Sequence, residues 1–150
     1  MKVVAIDPGE TTGYAVVEWD TSSAKIPLKA PKNSFKVSTG ELEGYSNIKA
    51  LISKENPDKV IYEGFKLYPW KAKNKIWSNF PTVEVIGVIK YLMETYFPDI
   101  ELVEQLPKDK KFYDNPKLKK LGIYDDRSAH ERDGLRHAFY YLTMLYKKEG

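Results

Sequence analysis

The succession of strand-like and helix-like segments constrains the fold of this 150-residue chain more than any other feature. Three short runs rich in apolar, β-branched or aromatic residues come first, separated by turn residues, and helical and strand periodicities then alternate. Consecutive strands followed by crossover helices predict a mixed sheet covered by helices, either α/β or α+β, and not a bundle or a barrel. The predicted strands are 2–7, 14–19, 35–39, 59–63 and 100–103, and the predicted helices are 41–55, 85–96, one turn from Pro116 and a long helix after Ser128.

The last predicted helix has the clearest signals. Residues 128–131 form the Ser-x-x-Glu pattern of a capping box, in which each side chain binds the backbone N–H of the other residue. Gly134 would let this helix approach a sheet closely, at a cost of about 1 kcal/mol in helix propensity. The apolar stripe of the helix consists of Leu135, Ala138, Phe139, Leu142 and Tyr146.

Length and composition restrict the class of protein. A chain with 42% hydrophobic and 30% charged residues is expected to form one globular domain, 1–150. Its apolar run at 138–146 is far shorter than the ~20 residues of a membrane span, and Asp7 interrupts the apolar N-terminus where a secretory signal would continue. We therefore expect an intracellular, cytoplasmic protein without membrane contact. Because the chain has no cysteine, any metal must be bound by carboxylate, imidazole or water.

The net charge of +3 is unevenly distributed. Residues 64–80 contain four lysines and no acidic residue, and residues 106–124 contain six lysines and two aspartates. Two basic segments on an otherwise acidic body indicate localised binding of a polyanion such as nucleic acid, although lysine-rich loops can also be merely solvated.

Acidic residues stand where a sheet could bring them together. Asp7 and Glu63 end apolar strands, and parallel neighbours would place both at the edge where open α/β sheets bind ligands, although such acids also serve as plain turn formers. His130 and Asp133 lie one turn apart on the last helix, beside its apolar stripe. Three carboxylates and an imidazole in proximity need cations between them, and a donor set without thiolate favours Mg²⁺ or Mn²⁺. Two such ions about 4 Å apart are typical of in-line phosphodiester hydrolysis, which agrees with the polyanion indication.

Three motifs resemble the RuvC-type Holliday junction resolvases. Residues 6–17, Ile-Asp-Pro-Gly-Glu-Thr-Thr-Gly-Tyr-Ala-Val-Val, are similar to the opening pattern of that family, and Glu63 stands where the family has its second acid. Residues 130–138 are similar to its terminal helix motif, a metal-binding Asp or His followed three residues later by Asp. The resemblance implies an RNase H-like fold, with a five-stranded sheet of order 3-2-1-4-5, an antiparallel second strand and helices on both faces. The short, lysine-rich form is closer to phage-type members.

The resemblance also implies an activity and its site residues. Asp7 would bridge two Mg²⁺ ions, for which Mn²⁺ substitutes, and Glu63, His130 and Asp133 would complete the two metal sites. A homodimer would nick a four-way DNA junction symmetrically, leaving 5′-phosphate and 3′-hydroxyl ends, without a nucleotide cofactor. His130 departs from the all-carboxylate version of the motif. His137, one turn after Asp133, is interpreted as a surface residue rather than a neighbour of the metal ligands.

The two basic segments supply the predicted DNA contacts. Lysines neutralise phosphates, and aromatic side chains stack on unpaired bases for about 1–3 kcal/mol each. Trp70 and Trp77 can alternatively cap the core or form the dimer contact. The predicted DNA-binding residues are Lys66, Tyr68, Trp70, Lys71, Lys73, Lys75 and Trp77 in the first segment and Lys108, Lys110 and Lys111 in the second.

Three alternatives remain open from the sequence. Another nuclease of the same fold could act on forks, flaps or RNA/DNA hybrids, because metal ligands do not specify substrate shape. Residues 7–13 also resemble the phosphate loop of the actin and sugar-kinase superfamily, which needs a second lobe for which 150 residues leave no room. A junction-binding module without catalysis would have no need for all four candidate ligands.

Overall fold

Five strands form one mixed β-sheet in the computed structural model of the chain, which describes residues 1–20, 26–31, 34–66 and 80–149. The strands are β1 (Lys2–Asp7), β2 (Thr12–Trp19), β3 (Phe35–Leu42), β4 (Lys59–Glu63) and β5 (Glu101–Gln105). Their order in the sheet is β3-β2-β1-β4-β5. β2 is antiparallel to both of its neighbours, whereas β1, β4 and β5 run parallel. The predicted sheet order and the antiparallel second strand are therefore confirmed.

Helices cover both faces of this sheet, as predicted. The helices are α1 (Ser46–Glu55), α2 (Pro81–Tyr96), α3 (Asn115–Leu121) and α4 (Ala129–Glu149), with 3₁₀ turns at Pro27–Lys29 and Asp109–Phe112. Because successive strand residues point to opposite faces, Val4 and Ile6 of β1 pack with α1 and α2, while Val3 and Ala5 pack with α3 and α4. Burial on both faces explains the unbroken apolar sequence of β1. Within the described ranges, no helix has the length and apolar character needed to cross a membrane.

Some element boundaries differ from the prediction. β3 continues to Leu42, which pairs with Thr12 of β2, so a helix that starts at residue 41 is wrong. α1 instead begins at Ser46, after a turn in which Gly44 adopts a positive φ of 76°. α2 begins earlier than predicted, at Pro81, because proline suits the first helical turn, where its missing N–H is not needed.

The capping box predicted for α4 is present. The Ser128 N–H donates to Glu131 Oε2 at 2.8 Å, and the Glu131 N–H donates to Ser128 Oγ at 3.2 Å. The Thr39 hydroxyl of β3 donates to Glu131 Oε1 at 2.9 Å. The backbone hydrogen bond from Ser128 is the main cause that lowers the pKa of Glu131. The hydrogen bond between Thr39 and Glu131 thus attaches the start of α4 to β3 of the sheet.

Two glycines let α4 cross the sheet at close range. A Cβ added to Gly134 would lie 3.0 Å from the backbone nitrogen of Ala15 in β2. A Cβ added to Gly13 would lie 2.4 Å from the backbone carbonyl of His130. The close approach predicted from Gly134 is confirmed, and it brings the first turns of α4 to the end of β1.

Candidate active site

The four residues predicted to form the site lie at one edge of the sheet. Asp7 ends β1 and Glu63 ends β4, and the parallel pairing of these strands carries both carboxylates to the same side. The first turns of α4 supply the other two residues, and the Nδ1 of His130 lies 3.3 Å from Asp7 Oδ2. Asp133 is joined to Glu63 through a shared lysine. The structure thus brings the predicted acids and histidine together.

The shared lysine is Lys110, from the 3₁₀ turn that follows β5. Its Nζ lies 3.1 Å from Glu63 Oε2 and 3.0 Å from Asp133 Oδ2. Burial acts to lower the pKa of Lys110, but the hydrogen bonds and charges of Asp133 and Glu63 outweigh it and raise that pKa. The ammonium is therefore an internal counter-ion of the two carboxylates. Lys110 is also one of the residues predicted from the sequence to contact DNA phosphates, and that role stays a prediction.

Asp7 carries charge that its neighbours do not fully balance. Burial, followed by the negative charges of Glu63 and Asp133, raises the pKa of Asp7 to about 6, although the hydrogen bond with His130 and the charge of Lys110 act in the opposite direction. Its side chain is only 13% exposed, so water screens this repulsion poorly. The edge of the sheet therefore favours an additional positive charge next to Asp7.

His137 is part of the site, and its interpretation as a surface residue is wrong. Its side chain is completely buried, with Nε2 2.7 Å from Glu63 Oε2 and Nδ1 2.6 Å from Gln105 Oε1. Burial acts to raise the pKa of Glu63, but the hydrogen bond with His137 and the charge of Lys110 lower it overall. The available signal was the position of His137 in α4, next to Ala138 of the apolar stripe and one turn after Asp133.

Arg136 is a second residue that sequence reasoning did not identify. Its Nη1 donates to Asp133 Oδ1 at 2.8 Å and its Nε donates to the carbonyl of Tyr113 at 2.8 Å, while Nη2 binds Asn115. An open groove of about 470 Å³ lies beside Asp133, lined by Arg136, Lys110, Lys111 and residues 113–116. The position of Arg136, three residues after Asp133 on a predicted helix, was the sequence signal that could have identified it. Asp133 is thus bound on one oxygen by Arg136 and on the other by Lys110.

The donor types at this edge suit a hard divalent cation. Carboxylate oxygens from Asp7, Glu63 and Asp133 are the ligands that Mg²⁺ and Mn²⁺ prefer, and the burial and neighbouring acids that raise the pKa of Asp7 would also favour a cation beside it. In the part of the chain that the structure describes, no three His, Asp or Glu side chains converge closely enough to hold an ion, because Lys110 stands between Glu63 and Asp133. The donor types therefore suit the cation, while the Lys110 ammonium occupies the space between Glu63 and Asp133.

The predicted DNA-binding residues divide into two groups. Lys66, Lys108 and Lys111 are exposed near the carboxyl edge of the sheet or in the turn that follows β5. Lys110 is half-buried against the acids. The others, Tyr68, Trp70, Lys71, Lys73, Lys75 and Trp77, lie outside the described residues.

The sheet order, the two helical layers and the acidic edge define an RNase H-like fold. More particularly, the chain is similar to Thermus thermophilus RuvC in complex with a Holliday junction substrate, with a TM-score of 0.70 and 15% identity over 99% of this chain and 96% of that chain. Thermus thermophilus RuvC in a second structure gives a TM-score of 0.68 at 15% identity, over 99% of this chain and 97% of that chain. Fowlpox virus resolvase in complex with Holliday junction DNA gives 0.59 at 16% identity, over 97% and 99%.

No protein-family model matches the sequence, and no curated protein matches it. The structural similarity therefore rests on the fold, at an identity too low to assign function by itself. It confirms that the resemblance to RuvC-type resolvases, read from short motifs, extends to the architecture of the chain.

Proposed function

We propose that this chain is a divalent-metal-dependent endonuclease that resolves four-way DNA junctions by nicking two symmetric strands. The observation that carries the proposal is the position of Asp7, Glu63 and Asp133 at the same edge of a RuvC-like sheet. Thermus thermophilus RuvC and Fowlpox virus resolvase, which share this fold, are both bound to Holliday junction DNA. Water would add to phosphorus and the bond to the 3′ oxygen would break, leaving a 5′-phosphate and a 3′-hydroxyl.

Mg²⁺, with Mn²⁺ as a substitute, is the cofactor that these donors support. Asp7, Glu63 and Asp133 would hold it, and the imidazole of His130 is a further candidate ligand. Bound cations would supply activation of the attacking water and charge stabilisation of the leaving 3′ oxygen. This part of the proposal predicts that cleavage stops in the presence of a chelator.

The remaining residues of the site orient the acids and reduce their charge. Arg136 holds Asp133 through Oδ1 and links it to the carbonyl of Tyr113, which fixes the direction of the carboxylate. Lys110 supplies positive charge beside Glu63 and Asp133, which lowers the repulsion that an approaching phosphodiester meets. The groove beside Asp133 offers a path for a DNA strand.

The two basic segments would bind the arms of the junction. Exposed lysines such as Lys108 and Lys111 suit contacts with phosphates, and the aromatic residues of the first segment suit stacking on bases at the crossover. Contacts of this kind position DNA and carry little sequence information. Because the described residues of one chain contain one such group of acids, cutting two strands of one junction requires two copies, and we therefore propose a homodimer.

A substrate comparison tests the proposal. Labelled four-way junction, linear duplex, fork, flap and RNA/DNA hybrid are incubated with Mg²⁺, Mn²⁺ or a chelator. We expect symmetric nicking of the junction that requires metal, and loss of nicking with retained junction binding for Asp7→Asn. Glu10→Gln, which removes an exposed carboxylate from the same turn, is the matched control and should cut like the wild type.

Each other outcome has a distinct meaning. Preferred cleavage of a fork, a flap or a hybrid would assign the chain to another nuclease class of this fold. Junction binding without cleavage of any substrate would indicate a binding module. Loss of folding in Asp7→Asn would mean that Asp7 is structural.

A further inference from the structure

His137 occupies an unusual position for a histidine of a surface helix. Its side chain is completely buried, yet both ring nitrogens contact polar atoms at the ends of the two parallel strands β4 and β5. Glu63 and Gln105 are direct neighbours in the parallel register, and the Gly64 N–H donates to the Gln105 carbonyl at 2.7 Å. The imidazole therefore bridges two strand ends that the backbone already holds together.

We infer that His137 and Gln105 form a positioning pair that holds the Glu63 carboxylate in the orientation required to bind a divalent metal ion. The inference rests on the proposed function, because it assigns Glu63 a metal-binding role. It makes His137 and Gln105 positioning residues, which act through Glu63 and do not themselves touch metal or DNA.

Hydrogen-bond chemistry specifies the direction of each contact. An ionised carboxylate only accepts hydrogen bonds, so the contact of 2.7 Å requires His137 Nε2–H to donate to Glu63 Oε2. The Gln105 side-chain oxygen Oε1 likewise only accepts, so His137 Nδ1–H donates to it at 2.6 Å, and this second bond prevents the ring from turning about its Cβ–Cγ bond. Because a carboxylate is planar, a bond that fixes Oε2 also limits the directions in which Oε1 can point.

The same geometry separates the roles of His137 and Lys110. Both contact Glu63 Oε2, but His137 is completely buried in α4, whereas the Lys110 side chain is 26% exposed and comes from a short 3₁₀ turn. An incoming cation can replace the ammonium of Lys110 as the partner of the acids. The imidazole has no comparable alternative, since its ring lies between the sheet and α4. His137 is thus suited to hold Glu63 both with and without a bound cation.

A purely structural role would give different consequences. A buried polar residue that serves stability alone would lower the unfolding temperature on substitution and leave metal affinity unchanged in the folded protein. Partners that orient metal-binding side chains typically contribute about 10–100-fold to metal affinity. Metal affinity measured below the unfolding transition therefore distinguishes the two roles.

Two substitutions of His137 divide its contacts. In His137→Gln the side-chain amide nitrogen can reach the place of Nε2 and donate to Glu63. In His137→Asn the shorter amide can reach only the place of Nδ1, next to Gln105. We expect Mn²⁺ binding to the full chain, followed by electron paramagnetic resonance, to weaken at least about tenfold in His137→Asn and less than about threefold in His137→Gln.

Gln105→Met and Thr143→Val complete the design. Gln105→Met removes the partner of Nδ1 while it keeps the length of the side chain, and it should weaken Mn²⁺ binding by less than His137→Asn does. Thr143 is a buried polar residue of the same helix whose hydroxyl contacts Tyr113 at 2.7 Å, away from the acids. Thr143→Val should lower the unfolding temperature without a change in Mn²⁺ affinity or in cleavage.

The readouts separate failure of this inference from failure of the proposed function. If the wild type does not bind Mn²⁺, or if Glu63→Gln binds it as tightly as the wild type does, the metal-dependent function fails and the positioning role fails with it. If the wild type binds Mn²⁺ and cuts junctions, but both His137→Asn and Gln105→Met bind Mn²⁺ as tightly as the wild type does, only the positioning role is overturned. If His137→Asn does not fold, Gln105→Met decides. In the cutting assay we expect a lower kcat with an unchanged KM for the junction, because neither side chain reaches the surface.

Discussion

Two histidines of α4 each contact one carboxylate of the site, but one histidine is exposed and the other is buried. The His130 side chain is 48% exposed and approaches Asp7 at 3.3 Å, whereas His137 is completely buried and approaches Glu63 at 2.7 Å. They are seven positions apart in α4, so the same helix forms an open half of the site at the end of β1 and an enclosed half at the end of β4.

The electrostatics of the two carboxylates differ in the same sense. Burial and neighbouring acids raise the pKa of Asp7 to about 6, while hydrogen bonds from His137 and Lys110 overcome burial and lower the pKa of Glu63. In the enclosed half, His137 and Lys110 contact Glu63 at 2.7 and 3.1 Å, whereas the contact of His130 with Asp7 in the open half is longer, at 3.3 Å. The negative charge that its surroundings balance least therefore lies on Asp7, where a cation would reduce repulsion most.

Replacing Asp7 should have the largest effect, in opposite directions on two measurements. We expect Asp7→Asn to reduce junction cleavage about 10³-fold or more, since several kcal/mol of transition-state stabilisation depend on the metal ligand. Because the folded-state pKa is raised, ionised Asp7 destabilises the metal-free fold at pH 7, and this penalty disappears as the pH falls through about 6 toward 4. Asp7→Asn should therefore raise the unfolding free energy at pH 7, in a chelator, by about 1–3 kcal/mol. Reduced stability would contradict the comparison, because it would make Asp7 a favourable structural contact.

Displacing the first turn of α4, which carries His130, should have the next largest effect. In Gly13→Ala the new methyl group would lie 2.4 Å from the His130 carbonyl and would force the first turn of α4 away from β2. We expect a loss of about 1–3 kcal/mol in unfolding free energy and about 100-fold in cleavage. Gly87→Ala in α2 is the control, because a Cβ there meets nothing within 4 Å and should raise stability by about 0.5–1 kcal/mol. Equal activity of Gly13→Ala and wild type would show that the position of His130 is unimportant.

The open half could be predicted from sequence more completely than the enclosed half. Asp7 follows an apolar strand directly, and His130 and Asp133 share one side of a helix whose capping box is local in sequence. The role of His137 depends on where α4 passes over the strand ends. A period of 3.6 residues places it beside the apolar stripe but cannot indicate which strand lies opposite.

Lys110 illustrates the same limit. A lysine-rich segment has one appearance in sequence whether a given ammonium faces solvent, phosphate or a carboxylate. The 3₁₀ turn at Asp109–Phe112 selects Lys110 from its neighbours and directs it to Glu63 and Asp133. The succession of strands and helices was easier to predict, because the unbroken apolar run of β1 and the apolar stripe of α4 each involve residues close together in the sequence, whereas the order of strands in the sheet was expected only from the family resemblance.

Removing the internal counter-ion should have a moderate effect that depends on metal. Lys110→Met leaves Glu63 and Asp133 without their shared ammonium, so we expect a loss of about 1–2 kcal/mol in unfolding free energy in a chelator. Added Mn²⁺ should then raise the unfolding temperature more than it does in wild type, since the cation replaces a missing charge. Lys111→Met, at an exposed neighbour, is the control and should change stability by less than about 0.5 kcal/mol. An identical response of both variants to Mn²⁺ would mean that Lys110 does not compensate the acids.

Exchanging the ligand type in the open half should have the smallest effect. His130→Asp restores the all-carboxylate pattern of the motif at an exposed position, where water and a bound cation can accommodate the added charge. We expect a loss of about 0.5 kcal/mol in unfolding free energy in a chelator and cleavage within about tenfold of wild type in Mg²⁺. His137→Asp is the matched change in the enclosed half: it places a second carboxylate beside Glu63 without a donor and should unfold the protein or abolish Mn²⁺ binding. If both aspartate variants lost cleavage to the same degree, the two halves of the site would be equally intolerant, and exposure would not explain their difference.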